Sequence, residues 1–253
     1  MPIQGMRGID VKCPSCGFEF ASQRAKMLPT DETRHGCVQI AQNIKAYTDT
    51  ALHLLFAGQG FKRMPYILAI LGMDEAGKVV KVVKKSIETE NTEAKEIEVE
   101  NWHAHWSKGP EASELGVLAV DWLNEILRSD VNFAKDAQSK DFEFLVGYRA
   151  HLQKLKNHFS SERNSMIYVD YNEGNGSWET PASPHVGYVL YDVILLGLFS
   201  DVVVNYLGSG RSFLALNDAM KDIRECSDFC SALSKMDELA GTSLCETWKQ
   251  MRQ

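Results

Sequence analysis

Between Cys37 and Phe56 the apolar residues Val38, Ala41, Ile44, Ala51, Leu52 and Leu55 recur at roughly helical spacing, and Gly58 and Gly60 end the run. That spacing predicts a first helix. Two apolar stretches follow, Tyr66 to Leu71 and Val79 to Val83, separated by Asp74-Glu75-Ala76-Gly77. This composition predicts a β-hairpin covered on both faces. Glu96-Ile97-Glu98-Val99-Glu100 alternates strictly, the pattern of a half-exposed strand. After Lys108-Gly109-Pro110, read as a break, Leu115 to Leu127 carries Leu118, Trp122 and Leu123 at helical spacing. Phe142 to Phe159 places Phe142, Leu145, Tyr148, Leu152, Leu155 and Phe159 on one stripe, and so predicts a third helix.

Shorter signals complete the pattern. Phe18 to Phe20 and Met166 to Tyr171 read as strands, the second closed by Asn172-Glu173-Gly174-Asn175-Gly176, a loop composition. Beyond Ser183-Pro184, Val186 to Leu207 is a strongly apolar helix that Gly208-Ser209-Gly210 stops, and Leu216 to Leu239 and Thr242 to Met251 are amphipathic. The expected fold is α+β, with an N-terminal zinc knuckle and β-hairpin on a mainly helical body. Three segments are expected: 1–61 with the knuckle and first helix, 62–106 with the hairpin and strand, and 107–253 as a helical acidic body. Val186 to Leu207 carries Asp192, Asp201 and Asn205, which lipid tolerates poorly, so a buried helix and no membrane partner are expected. The N-terminus lacks the apolar run of an export signal, and six cysteines in 253 residues are too few for a disulfide scaffold. A cytoplasmic setting follows.

Charge divides the chain. Residues 1 to 85 hold 12 Lys or Arg against 7 Asp or Glu, whereas residues 86 to 253 hold 15 against 27. A basic first third can sit on phosphates, while the acidic remainder suits solvent or a basic protein partner. Cys13-Pro14-Ser15-Cys16-Gly17 has the spacing of a zinc knuckle, the first half of a tetrahedral site. His35 and Cys37, on an extended segment, complete it locally; the alternative is closure by Cys226 and Cys230 from the C-terminal region. Either set is full, so the expected Zn2+ is structural. Lys12, Arg24, Lys26, Arg34, Lys62, Arg63, Lys78, Lys81, Lys84 and Lys85 are the candidate phosphate contacts.

Other constellations say less. His103 and His105 share one face of a strand but have no third ligand nearby, and read as structural. Arg149 and His158 invite comparison with helical HEPN ribonucleases, whose arginine and histidine have four to six residues between them; here eight intervene. The sequence has no Gly-x-Ser-x-Gly, no His-Glu-x-x-His and no complete phosphate-binding loop.

From about residue 96 to 215, the alternating strand, Lys108-Gly109-Pro110, a helix, Asp130-Val131-Asn132-Phe133, a long helix and a strand are followed by Ser183-Pro184-His185-Val186-Gly187-Tyr188 opening an apolar helix. This order resembles the AcaB-like regulators and related proteins of integrating conjugative elements. The resemblance implies a DNA-associated protein of a mobile element. The resulting expectation is a non-enzymatic nucleic-acid-binding accessory or regulatory protein. A zinc-stabilised protein-interaction subunit of a nucleoprotein assembly is the alternative, and a metal-dependent nuclease the third class.

Overall fold

The computed structural model describes residues 11–12, 19–20, 25–57, 63–89, 96–100, 105–129, 139–167, 170–172, 177–179 and 185–246. Helix α1, Thr30–Phe56, starts after Pro29 and covers the predicted first helix with seven further residues at its front. Helix α2, Arg63–Thr89, packs along it. The predicted hairpin is therefore corrected: Tyr66 to Val83 lies within one helix. Its buried positions Tyr66, Ala69, Ile70, Met73, Ala76, Gly77 and Val80 follow a three- and four-residue rhythm, which the two apolar runs masked. The supposed turn is a contact. A Cβ at Gly77 would fall on the backbone of Lys108, and Asp74 beside it is buried.

Helix α3, His105–Ser129, packs on α2 and on α4, Ser139–Ile167. Lys108-Gly109-Pro110 does not break the chain but lies inside α3, with Pro110 its sixth residue, where the missing N–H removes one helical bond and the helix continues past it. Gly109 lies against the Phe159 ring, so a larger residue could not pass there. The stripe predicted on α4 is confirmed, with Leu145, Tyr148, Leu152, Leu155 and Phe159 buried. Helix α5, Val186–Val202, continues as a π-helical turn, Val203–Leu207, and packs on α1 and α2. Among the described residues this is the one helix long and apolar enough to cross a membrane, and it buries its own polar Asp192 and Ser200 in the core. Two short helices finish the body: α6, Phe213–Arg224, and α7, Phe229–Ala240.

The strands are small additions. β1, Val11–Lys12, pairs with β2, Glu19–Phe20; β3, Ala25–Pro29, pairs with β4, Glu96–Glu100; β5, Asp170–Asn172, pairs with β6, Ser177–Glu179; all three pairs are antiparallel. The alternation of residues 96 to 100 is borne out, because Ile97 and Val99 are buried while Glu96 and Glu98 are exposed. The molecule is thus a mainly helical body with small antiparallel strand pairs.

Candidate active site

Two helix faces meet beside α2. On α4, Phe144, Gly147, Tyr148 and His151 fall three and four residues apart and so share a face; on α5, Tyr188, Tyr191 and Asp192 do the same. Gly147 leaves room where they touch, because a Cβ there would meet the Tyr188 hydroxyl. Asp192 is at the centre, with its side chain fully buried. The Tyr148 hydroxyl donates to Asp192 Oδ1 at 2.8 Å, and His151 Nε2 lies 3.1 Å from Oδ2. Both carboxylate oxygens are engaged. Because Tyr148 supplies the hydrogen of one bond, the other needs a hydrogen between Nε2 and Oδ2.

Burial pushes the Asp192 carboxyl upward, against the bonds from His151 and Tyr148. The Tyr148 hydroxyl is pushed well above the usual range by burial and then by the Asp192 charge, so it remains a donor. Tyr66 on α2 is raised by burial, then by Asp192 and Glu162. The His151 ring is surrounded by aromatic rings: Tyr188 at 5.3 Å between centroids, Tyr148 at 6.0 Å and Tyr66 at 6.2 Å. His185, the residue before α5, lies 4.5 Å from the other partner of this stack, the Tyr188 ring. An imidazole held on one side by a buried carboxylate is oriented for proton transfer, and a second imidazole, that of His185, packs against the same tyrosine ring.

The residues proposed from sequence are placed elsewhere. Cys13, Cys16, Arg24, Lys62 and His103 lie outside the described residues. His35 and Cys37 are not on an extended segment but inside α1, where a two-residue step turns about 200° around the axis. His35 is exposed and bonded to Gln39 at 3.0 Å, while Cys37 is buried and its thiol is pushed up to about 12 by desolvation. Cys226 Sγ contacts the Asp222 carbonyl, and Cys230 lies in α7. Among the described residues no group of three or more His, Cys, Asp or Glu is arranged to hold a metal ion. His105 opens α3 rather than continuing a strand.

Lys12 is in β1, Lys26 in β3, and Arg63 is the first residue of α2. Arg34 donates to the Gly210 carbonyl at 3.0 Å. The lysines expected on a basic hairpin lie on α2 and are engaged by the protein: Lys78 with Glu75, Lys81 with Ser107, Lys84 with Glu111 and Lys85 with Glu88. Arg149 and His158 do not meet. Nine positions on a helix place them on opposite sides and about 13 Å apart along the axis. Arg149 is held by Asp121 on α3, and His158 is exposed at a kink with φ −132° and ψ 26°.

The family model for the HEPN domain of AbiV matches residues 32–185, which is more than half of the chain. The chain belongs to the AbiV family of HEPN domains. This overturns the resemblance to AcaB-like regulators, because the match takes in most of the region on which that resemblance rested. It also replaces the expectation of a non-enzymatic zinc-knuckle regulator. No curated protein and no solved structure matches the chain. In this AbiV-family chain the HEPN arginine–histidine spacing is missing: Arg149 is followed by His151 and His158, with one and eight residues between. Tyr66, Tyr148 and His151 lie inside the matched region, whereas Tyr188 and Asp192 lie just beyond it. Sequence reasoning passed over them. The available signal was Asp192 itself, an acid in the middle of an apolar helix, which folds there only with a partner.

Proposed function

We propose that this AbiV-family protein is an abortive-infection, phage-defence protein that cleaves RNA in the cytoplasm, with His151 and Asp192 at its active site. HEPN domains are typically ribonucleases, and the observation that carries the reading to particular residues is the Asp192–His151 bond beneath Tyr188. In this mechanism one imidazole takes the proton of a ribose 2′-hydroxyl, and the oxygen attacks the adjacent phosphorus. The bond from phosphorus to the 5′-oxygen breaks, and the leaving oxygen takes a proton from the second imidazole. The products are a 2′,3′-cyclic phosphate and a 5′-hydroxyl. His151, oriented by Asp192, suits the base, and His185 suits the acid.

The test is cleavage of end-labelled RNA by purified protein, with the product ends read by mass spectrometry. His151→Ala and Asp192→Asn are expected to lower the rate on the order of 10²–10⁴-fold. Cleavage at an unchanged rate in both variants sinks the assignment of the site. A second reading, RNA binding without cleavage, is favoured by the missing arginine–histidine spacing. It predicts an RNA complex with intact RNA recovered from wild-type protein.

A further inference from the structure

Asp192 is sealed from solvent, but 16% of the His151 side chain is exposed, so the pair reaches the surface through the imidazole. Beside it on α5, Tyr188 and Tyr191 are three residues apart, a rise of about 4.5 Å along the helix. Phe144 from α4 lies against both, with ring centroids 5.4 Å from Tyr188 and 4.7 Å from Tyr191. Ring contacts therefore run without a break from His185 through Tyr188 and Phe144 to Tyr191, and Tyr188 is also the ring stacked on His151. The row ends at the surface. Tyr191 is 37% exposed, and its contacts with Phe144 and Tyr148 are tilted by 46° and 56°, so among the described residues no parallel ring covers it. Val189, Val193 and Leu196 carry the buried side of α5, while Tyr191 lies toward solvent.

We propose that Tyr191, backed by Phe144, stacks a base of single-stranded RNA and so lays the neighbouring backbone at His151. The inference rests on the reading of this site as one that takes RNA, and it narrows the substrate. Every nucleobase has a flat π-face that an exposed aromatic ring can cover, whatever the sequence. Bases in a duplex are already covered on both faces by their neighbours, so a stacking surface selects single strands, loops and ends. Charge points the same way. The chain carries a net charge of −7, and cations on the neighbouring helices are engaged: Lys84 by Glu111, Arg149 by Asp121 and Lys156 by Glu114. Phosphate contacts here meet cations that are already paired, and base contacts take a larger share of the affinity. Continuity with His151 favours RNA over a protein partner as the occupant, because the same Tyr188 ring touches both the imidazole and Phe144.

The test is fluorescence anisotropy with a labelled oligouridylate whose 2′-oxygens are methylated, so that binding is read without cleavage. The full chain is expected to bind it, Tyr191→Phe to keep that affinity and Tyr191→Leu to lose about tenfold, the share of one stacked base. Ile194→Ala, one turn further along α5 at a position 48% exposed, is expected to bind like wild type. The same strand annealed to a methylated oligoadenylate is expected to bind at least about tenfold more weakly. Equal binding by Tyr191→Leu and wild type, equal binding of duplex and single strand, an equal loss in Ile194→Ala, or no binding by wild type overturns the proposal. A changed sedimentation coefficient in a Tyr191→Leu protein that still binds RNA normally overturns it in favour of a second copy on this face. Unmodified RNA separates this inference from the cleavage reading: ring-dependent binding with no cut leaves the stacking standing and removes cleavage, whereas cleavage by Tyr191→Leu at the wild-type KM does the reverse. Cooperative thermal unfolding establishes that each variant is folded, and Tyr191→Met replaces Tyr191→Leu where it is not.

Discussion

Asp192 shows how a single side chain can shape the site without advertising it. In an apolar helix a carboxylate is tolerable only if both oxygens find donors, and Tyr148 and His151 supply them from α4. Tyr148→Phe keeps the packing but leaves Oδ1 buried without its donor. We expect a loss of about 1–3 kcal/mol in urea unfolding; an unchanged midpoint would mean that water satisfies the oxygen. Cys37 makes the opposite point. Its place in a His-x-Cys pair suggested a ligand, but a helix turns it into the core, where desolvation holds it as a thiol. The native protein is expected to leave Cys37 unmodified by iodoacetamide at mildly alkaline pH and to expose it only on unfolding, as peptide mass spectrometry would read.

Among the elements, α2 carries the largest departure from the sequence reading. Two dense apolar runs around an acidic, glycine-bearing step look like strands and a turn, because local pattern cannot distinguish a buried helix from a buried strand in short windows. What decides the matter is a distant neighbour: Gly77 lets the backbone of Lys108 lie directly against the helix. Gly77→Ala must push α3 away and is expected to cost about 1–3 kcal/mol, measured by denaturant unfolding. At the other end of the chain, Asp237 joins α7 to the following turn. It accepts from Thr242 Oγ1 at 2.6 Å, Leu244 N at 2.6 Å and Cys245 N at 2.7 Å. Partial desolvation pulls its carboxyl upward, but these bonds outweigh it and hold it below the usual aspartate range. Stability from this group is therefore present above about pH 4, the unfolded value, and lost as pH falls through the lower native value. Asp237→Asn should show less acid dependence in that window when melting temperature is followed against pH.

For the whole molecule, the matched HEPN region and the segment that follows it share one core. Ser200 Oγ donates to the Ala41 carbonyl at 2.6 Å in the interior, Lys45 pairs with Asp201 at 3.2 Å, and Arg34 reaches Gly210. A chain ending after residue 185 would expose the faces of α1 and α2 that α5 covers, and would remove Asp192 from the site. Such a fragment is expected to lose the cooperative melting transition of the full chain, followed by circular dichroism. Retention of that transition would show that the matched region folds alone. Much of this architecture is legible in the chain: the helices over 37–56, 115–127 and 142–159 and the strand at 96–100 follow from local periodicity, because one side of each faces the core and the pattern records that side, and the helix over 186–207 follows from a strongly apolar run closed by Gly208-Ser209-Gly210. The helical nature of residues 66–83, the passage of α3 through Lys108-Gly109-Pro110, and the meeting of Tyr148, His151 and Asp192 do not follow from it. They depend on contacts between residues tens of positions apart, and the sequence lists those residues without recording which helix faces which; only the packed structure assigns Asp192 its partners.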